Sequence, residues 1–347
     1  MRVISAELKT AQESSSRIPY VELVFHSNET PDYVDYGDRC LGGEHHEEPF
    51  NGYATILLRN NDNSVQDLRG YWIEIGYGDK LTPGTRPREA ETTARLWVIS
   101  QTDISFPGTK ITTLELKDGW EILKKPVLEP YNLEAPFHFH RWTNATVWQI
   151  VATLLLGAGF QLEDLVGTPT FDPAFVEFIP EFTINEEATI PTSYISYKDA
   201  ILTLLNMTST YLRPKRGKAF EAVFPKEDDP VDVTYYSYQT PWFKEFDYRR
   251  NVVVPNHIFV YCDFTGGVWN PPFLVGIARD KVLPAYLDVD SMHSFYIAGD
   301  VRTQADADRR AQAILDRIRI QSRGGRLIIP HDCRVELFDM VKVVDTR

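Results

Sequence analysis

Short runs in which apolar and polar residues alternate constrain the fold of this chain more than any other feature of its sequence. In the segment YATILLRN, Ala54, Ile56 and Leu58 occupy every second position. Because successive side chains of a strand point to opposite faces, this spacing predicts a strand with one buried face. The same alternation predicts strands throughout the first third of the chain, at residues 4–8, 21–25, 71–77, 95–101 and 111–116.

Clusters of turn-forming residues separate these runs. The cluster NNDNS at 60–64 and the pair Pro107-Gly108 each lie between two predicted strands. Several short strands with regular turn signals indicate a closed barrel or a sandwich. Residues 28–50 lack a clear period, and we expect a long loop or insertion there.

The middle of the chain changes character and predicts a small α/β unit at residues 126–235. Asn144 is the candidate N-cap of one helix, and Ser196, with Asp199 three residues later, is the candidate N-cap of a second. A strand is expected at 219–224. The predicted apolar faces are Val147, Ile150, Val151, Leu154 and Leu155 in the first helix, and Ala200, Ile201, Leu204 and Leu205 in the second.

The last third, residues 236–347, returns to short strands around one clear helix. Thr303 is the candidate cap of this helix, and the pair Gly324-Gly325 is expected to end it. Its predicted inward face consists of Ala307, Ala311, Ile314, Leu315 and Ile318. Strands are predicted before the helix at 257–263, 273–279 and 294–297, and after it at 326–329, 334–337 and 340–344.

The pattern therefore predicts a mainly β fold with an α+β insertion. A chain of 347 residues exceeds the size of one comfortable hydrophobic core, so more than one domain is expected. We expect a barrel-like domain at 1–125, an α/β domain at 126–235 and a second barrel-like domain at 236–347.

The charge of the chain argues against tight binding of nucleic acid. The net charge is −13, and an acidic surface repels the phosphate backbone. The basic run KRGK at 215–218 is short and precedes a predicted strand, so a β-turn explains it. The apolar run at 150–160 is too short to cross a bilayer, and residues 1–10 alternate instead of forming a signal-like apolar run. We expect a soluble protein without a membrane span.

Two histidine pairs are the candidates for metal chemistry. His45 and His46 lie in the segment GGEHHEE, where imidazoles and carboxylates together match the ligands of zinc. His138 and His140 form an HxH pair whose side chains would share one face of a strand. A solvated loop explains the first pair and aromatic packing explains the second, so we assign no metal site.

The sequence motifs of common enzyme classes are absent. The chain contains no GxSxG, GxxxxGK[ST], GxGxxG or HExxH motif, and no CxxC pair among Cys40, Cys262 and Cys333. We therefore predict no catalytic residues, no cofactor and no enzymatic activity, and we expect the thiols to be buried or inert.

Four stretches, taken in order, resemble one known protein family. They are ATILLRNNDNSVQDLRG with YWIEIGYGD; ARLWVISQTDISFPGTKITTLELKDGWEILKK; FHFHRWTNATVWQIVATLLLGAGF with ISYKDAILTLLNMTSTYLRPKRGKAF; and VRTQADADRRAQAILDRIRI with RGGRLIIP and VELFDMVKVVD. This order resembles the tail hub proteins of phages and contractile injection systems, the late control protein D and baseplate hub family.

The resemblance implies a fold and an assembly. In that family two similar barrels and an α/β insertion belong to one chain, and three chains form a ring whose six barrels match the sixfold tail tube. A threefold tip or spike docks on the other side, and the tape-measure protein and DNA pass through. The resemblance thus implies a non-enzymatic adaptor in the tail tip or baseplate of a virion, made in the host cytoplasm, with tube or distal tail proteins as neighbours.

Two alternatives remain at this stage. A distal tail or tip adaptor of similar build would also form rings and turn over no substrate. A metal-dependent hydrolase that uses the pair His45/His46 or the pair His138/His140 would instead bind metal stoichiometrically and lose activity when those histidines are replaced.

Overall fold

A computed structural model describes residues 2–14, 16–28, 31–81, 89–127, 140–163, 178–184, 195–206, 208–226, 228–250, 253, 255–262, 274–280, 293–298 and 303–347. The chain is mainly β with few helices, as the sequence predicts. The helices are α1 (Ala6–Glu13), α2 (Gly119–Ile122), α3 (Val147–Gly157), α4 (Tyr197–Leu205) and α5 (Gln304–Ser322), with a 3-10 helix at Gly37–Arg39.

The strands fall into three groups along the chain. The first group comprises β1 (Pro19–Glu22), β2 (Val24–His26), β3 (Tyr33–Asp35), β4 (Cys40–Glu48), β5 (Asn51–Arg59), β6 (Trp72–Asp79), β7 (Glu89–Phe106) and β8 (Thr109–Lys117). The second comprises β9 (His140–Thr146), β10 (Gln161–Leu162), β11 (Phe178–Ile184), β12 (Tyr211–Lys215) and β13 (Ala219–Val223). The third comprises β14 (Val233–Tyr236), β15 (Glu245–Arg250), β16 (His257–Cys262), β17 (Leu274–Arg279), β18 (His293–Ala298), β19 (Arg323–Ile328) and β20 (Val341–Val344).

The first group forms one eight-stranded sheet that curls on itself. Its strand order is β3-β2-β6-β7-β8-β5-β4, with β1 also paired to β6. The two ends of this order, β3 and β4, are consecutive in the chain, and the five steps from Asp35 to Cys40 span at most ~18 Å. The two edges of the sheet must therefore lie close together. One bulge on β4 and two on β7 help the sheet to bend.

Alternation in the sequence correctly locates the inner face of this sheet. Ala54, Ile56 and Leu58 of β5 are buried, and so are Ile73 and Ile75 of β6. Leucines and a valine of the neighbouring strands complete the core between them. The predicted turns also hold, since residues 61–63 and Pro107-Gly108 connect strands.

The N-terminal segment differs from the prediction of a strand at residues 4–8. It forms α1, which Ser5 caps by accepting a hydrogen bond from the backbone N–H of Leu8 at 3.0 Å. Only Leu8 and Gln12 of this helix are buried, four residues apart on one face. Residues four apart share one face of a helix. They also stand at every second position of a five-residue window, so a short helix gives the same pattern there as a strand.

The prediction of a long loop at 28–50 is also wrong. This segment contains β3, the 3-10 helix and the nine residues of β4. Among the described strands, β4 pairs with β5 alone and lies at an edge of the sheet. Its backbone hydrogen bonds define it, and an edge strand without a fully buried residue needs no alternation of apolar residues.

The helices of the middle third pack as predicted, with one corrected cap. Thr146, not Asn144, caps α3: its hydroxyl accepts from Gln149 N–H at 3.1 Å, while the Gln149 side chain accepts from Thr146 N–H. Ser196 caps α4 as predicted. The predicted apolar faces of both helices are buried in one core with Trp97, Trp120, Phe160 and Phe220.

In the last third, α5 covers one face of the sheet β17-β16-β18. Thr303 accepts from Asp306 N–H at the start of the helix, as predicted, and Ala307, Ala311 and Leu315 are buried against the sheet. The helix ends at Ser322, so the glycines predicted to end it lie in β19 instead. There a Cβ at Gly325 would lie 2.6 Å from the Asp247 carbonyl oxygen of β15.

The strand predicted at 334–337 is absent, and turns occupy this position. Asp332 accepts a hydrogen bond from Arg334 N–H at 3.0 Å, and Asp339 accepts one from Glu336 N–H at 2.8 Å. Carboxylates that bond to nearby backbone N–H groups offer the chain an alternative to strand pairing.

We predict that Gly276→Ala destabilises the last third of the chain. A Cβ at this position of β17 would lie 1.8 Å from the backbone oxygen of Ala307, so α5 would have to move away from the sheet. We expect a loss of about 1–3 kcal/mol in the free energy of unfolding, measured by urea denaturation.

The control is Ile277→Ala, which changes the next residue of the same strand on its exposed face. An equal loss in both variants would contradict close packing of α5 as the cause.

Candidate functional site

The inner face of the curled sheet carries polar groups at one end. His45 of β4 is the register partner of Ala54, which is buried in the core of the sheet. Glu47, two residues further along, therefore points to the same inner side and pairs with Gly52. Asp118 follows β8 at this end, and its backbone N–H donates to the Gly52 carbonyl at 3.0 Å. We call this end of the sheet the mouth.

Two other parts of the chain close the mouth. Arg213 and Pro214 of β12 and Leu337 of the C-terminal turns line a cavity together with His45 and Asp118. The cavity measures about 20 Å³, which is room for a water molecule. The mouth is therefore the place where the sheet, the middle unit and the C-terminal turns meet.

Arg213 is the central cation of this junction. Only 8% of the residue is exposed. Its guanidinium lies 2.7 Å from a carboxylate oxygen of Glu221 and 3.2 Å from one of Asp339, and it donates to the Leu337 carbonyl at 2.9 Å. One side chain of the β12–β13 hairpin thus holds the C-terminal turns through both side-chain and backbone contacts.

Glu336 is the matching anion. Its carboxylate lies 3.0 Å from Lys215, 3.4 Å from Arg2 and 3.7 Å from Arg213. Burial opposes ionisation of this carboxyl, yet the charges of Arg213, Lys215 and Arg2 hold its pKa below the usual value. Glu336 is therefore charged in the folded protein at neutral pH.

Arg2 ties the N-terminal segment to the same place. It lies 2.9 Å from Glu47 of β4 and donates to the carbonyl oxygens of Cys333 and Val335, each at 3.2 Å. Its own backbone N–H donates to the Arg334 carbonyl at 2.8 Å. The first and last segments of the described chain are therefore held together at the mouth.

A separate set of hydrogen bonds joins α5 to the middle unit. Arg317 donates to the carbonyl oxygens of Leu205 at 2.6 Å, Thr208 at 2.7 Å and Thr210 at 3.2 Å. The carbonyls at the end of α4 have no partner within the helix, and a cation there also suits the helix dipole. Arg317 thus acts as a C-terminal cap supplied by another part of the chain.

The face of the sheet β17-β16-β18 that is turned away from α5 is aromatic. Ile277, Phe259 and Phe295 form one cross-strand row, with the two phenylalanine ring centroids 5.4 Å apart. In the described part of the chain Ile277 is 53% exposed and Phe295 is 62% exposed. The adjoining rows contain Val275 and Tyr261 on one side, and Arg279, His257 and His293 on the other. We call this surface the aromatic face.

The first candidate metal pair is separated by the geometry of its strand. His45 and His46 are neighbours on β4 and point to opposite sides. His45 lies at the mouth, whereas His46 stacks on the exposed side against Tyr53, with ring centroids 4.5 Å apart. The loop expected at this position is the strand described above, and the two imidazoles do not converge on one ion.

The remaining candidates are described only in part. His138 lies outside the described residues, and His140 begins β9 without a described side chain. Over the ranges that the structure covers, no three metal-ligating side chains come together. No described helix is long and apolar enough to cross a membrane. Cys40 and Cys333 are free thiols, whereas the side chain of Cys262 is not described.

The basic run at 215–218 forms the turn between β12 and β13, as predicted. Its cations form ion pairs with other parts of the chain: Lys215 pairs with Glu336, and Arg216 lies 3.5 Å from Glu91 of β7. Sequence reasoning did not find Arg2, Arg213 or Arg317. Each donates to at least one backbone carbonyl that lies more than 100 positions away in the sequence, and no local pattern links the two.

No protein-family model matches this sequence, and no curated protein matches it. Solved structures do match. The tail protein from Neisseria meningitidis MC58 superposes with a TM-score of 0.62 and 10% identity, over 94% of this chain and 87% of that chain. The prophage MuSo2 43 kDa tail protein from Shewanella oneidensis gives a TM-score of 0.58 and 11% identity, over 94% of this chain and 89% of that chain. This chain therefore has the fold of these tail proteins.

We predict that Arg213→Met destabilises the fold by about 3 kcal/mol, because it leaves buried carboxylates without their cation. The loss would be measured as a change in the free energy of unfolding in urea at pH 7.

Arg216→Met is the matched control, since its side chain is 68% exposed and its ion pair with Glu91 is worth at most about 1 kcal/mol. Similar losses in the two variants would contradict the central role of Arg213.

Proposed function

We propose that this chain is a structural component of a phage or phage-like tail, the hub that joins the tail tube to the tip. The observation that carries the proposal is the fold shared with two tail proteins over 94% of the chain. The order of motifs in the sequence supports the more specific position in the hub.

In this proposal three copies form a ring. Each copy contributes two barrel-like domains, at 1–125 and 236–347, with the α/β domain at 126–235 between them. Six barrel-like domains in a threefold ring then match a sixfold tube on one side and a threefold tip or spike on the other. The curled first sheet supports the first of these domains.

The ion-paired junctions suit such an adaptor. A hub has to hold its tube-facing and tip-facing parts in one orientation, and buried ion pairs have strict geometric requirements. Arg213 and Glu336 at the mouth and Arg317 at the end of α4 fix the middle unit against both of its neighbours. Buried charges of this kind are better explained by a fixed arrangement than by added stability.

The aromatic face supplies apolar surface for a contact between copies. Exposed aromatic residues are enriched at the centres of protein interfaces, and Phe259, Phe295 and Ile277 lie together on one face. Packing of this face on a neighbouring copy would bury them.

The proposed partners are a homotrimer of this chain, tail tube or distal tail proteins, a tip or spike protein and the tape-measure protein. The proposed location is the tail tip or baseplate of the virion, after synthesis in the host cytoplasm. A net charge of −13 disfavours specific binding of nucleic acid, which suits a conduit through which DNA slides.

We also propose that the chain is not an enzyme. The polar cluster at the mouth consists of paired charges that join segments of the chain, and the pair His45/His46 points to two sides of a strand. A distal tail or tip adaptor is the nearest alternative, because it would share the fold and the ring.

The test is the solution mass measured by native mass spectrometry, with and without the neighbouring tail proteins. We expect a trimer, either alone or on addition of a tip protein, and we expect Phe295→Glu to weaken its assembly at least about tenfold, because a charge would be buried in the contact.

Leu156→Glu is the control, since Leu156 is exposed on α3, away from the aromatic face. A chain that stays monomeric with every tail partner would overturn the hub proposal. A stoichiometric metal ion lost on His45→Ala would favour the hydrolase.

A further inference from the structure

The mouth of the curled sheet contains a carboxyl that forms no ion pair with any residue that the structure describes. Asp118 is 4% exposed and lines the cavity that Arg213, Pro214 and Leu337 close. Its carboxyl accepts a hydrogen bond from Trp120 N–H at 2.9 Å. Gly52 permits its close approach to the sheet, because a Cβ there would lie 2.5 Å from the Asp118 carboxylate.

The surroundings of Asp118 make its charge unfavourable in the closed junction. Burial raises the pKa of this carboxyl to about 7, although the backbone groups of Trp120, Gly52 and Glu121 and the charge of Lys198 on α4 act to lower it. Arg213 of β12 lines the same cavity, but its guanidinium already pairs with Glu221, Glu336 and Asp339.

His45 faces the same cavity from β4. Burial lowers the pKa of its imidazole below the ordinary value, and Arg2 and His46 act in the same direction while Glu47 opposes them. Tyr77 of β6 stacks on it at 6.0 Å between ring centroids. Glu48 is the remaining charged residue that lines the cavity.

We propose that Asp118 is a proton-dependent clasp, which holds the C-terminal turns on the mouth while it is protonated. When the turns move away, the cavity opens to water and the carboxyl becomes solvated. Ionisation of Asp118 then favours the open junction. This proposal is independent of any role in a tail.

The direction of the effect follows from linkage. A solvated aspartate ionises near 3.8, whereas Asp118 in the closed junction keeps its proton to about pH 7. Its contribution to closure is therefore complete below 3.8 and is lost as the pH rises towards 7. Over that window the opening constant grows by up to about tenfold per pH unit, and it levels off above pH 7.

His45 acts in the opposite direction over part of this window. Its pKa is lowered in the closed junction, so the open junction binds a proton more readily below the ordinary value of 6.5. Closure through His45 is therefore present above 6.5 and is lost as the pH falls through the lowered pKa. In the native protein the two effects partly cancel below 6.5, and the loosening by Asp118 prevails above it.

Hydrogen exchange of the full chain, measured by mass spectrometry at pH 5.5, 6.5 and 7.5, tests the clasp. Rates are divided by the intrinsic rate at each pH and compared with the buried strand β16. For segment 333–340 we expect protection to fall several-fold between pH 6.5 and 7.5 in the native protein. Asp118→Asn retains the acceptor for Trp120 N–H but cannot ionise, and its protection should not fall over this range.

Two histidine variants sharpen the result. His45→Gln should extend the loss of protection down to pH 5.5, because the opposing titration is removed. His46→Gln is the matched control on the other side of β4 and should behave as the native protein. Equal pH dependence in the native protein and Asp118→Asn would overturn the clasp.

A direct titration keeps the proposal testable if Asp118→Asn fails to fold. The carboxyl resonance of Asp118 in the native protein, followed by carbon-13 NMR, should titrate near pH 7. A midpoint near the ordinary value of about 4 would overturn the proposal.

Discussion

The arrangement of the whole chain depends on the ion pairs at the mouth of the curled sheet. Arg2, Arg213 and Lys215 surround Glu336, so the N-terminal segment, the β12–β13 hairpin and the C-terminal turns meet on one carboxylate. Both arginines also donate hydrogen bonds to backbone carbonyls of the turns. Without this contact the turns would lose much of what holds them to the first sheet. The three parts of the chain would then be joined mainly by the packing of their apolar faces and by Arg317.

Charges at such a junction fix position more effectively than they add stability. The apolar cores around Leu116, around Leu204 and around Ile258 supply most of the hydrophobic driving force, and the second of them also includes Trp97 of the first sheet. Apolar surfaces tolerate sliding, whereas the Arg213 guanidinium, which contacts three carboxylates and a carbonyl, tolerates little displacement. The same dry surroundings disfavour the charge of Asp118, so the junction that fixes the orientation is also the place where proton binding matters.

The shared fold and the two surfaces of the last third fit one picture of the molecule. One face of the sheet β17-β16-β18 is covered by α5 inside the chain, and the opposite face presents Phe259 and Phe295 outward. A sheet that is apolar on both faces is typical of a central layer, which packs against another element on each face. The inner packing belongs to the fold shared with the two tail proteins, and the outer face is where the proposed ring would bury apolar surface.

The sequence by itself determined the elements whose signal is local. The alternation of apolar and polar residues located β5 and β6, and the spacing of apolar residues located the inner faces of α3 and α4. In each of these elements the apolar side chains lie on one face. Sequence patterns failed to predict the elements that are formed by backbone hydrogen bonds instead of by the packing of side chains. Edge strand β4 needs only the hydrogen bonds of β5, and the turns at 333–339 form around the carboxylates of Asp332 and Asp339. Only the tertiary structure decided which groups meet at the mouth. Arg213 and the Leu337 carbonyl to which it donates are 124 positions apart, and no local pattern links them.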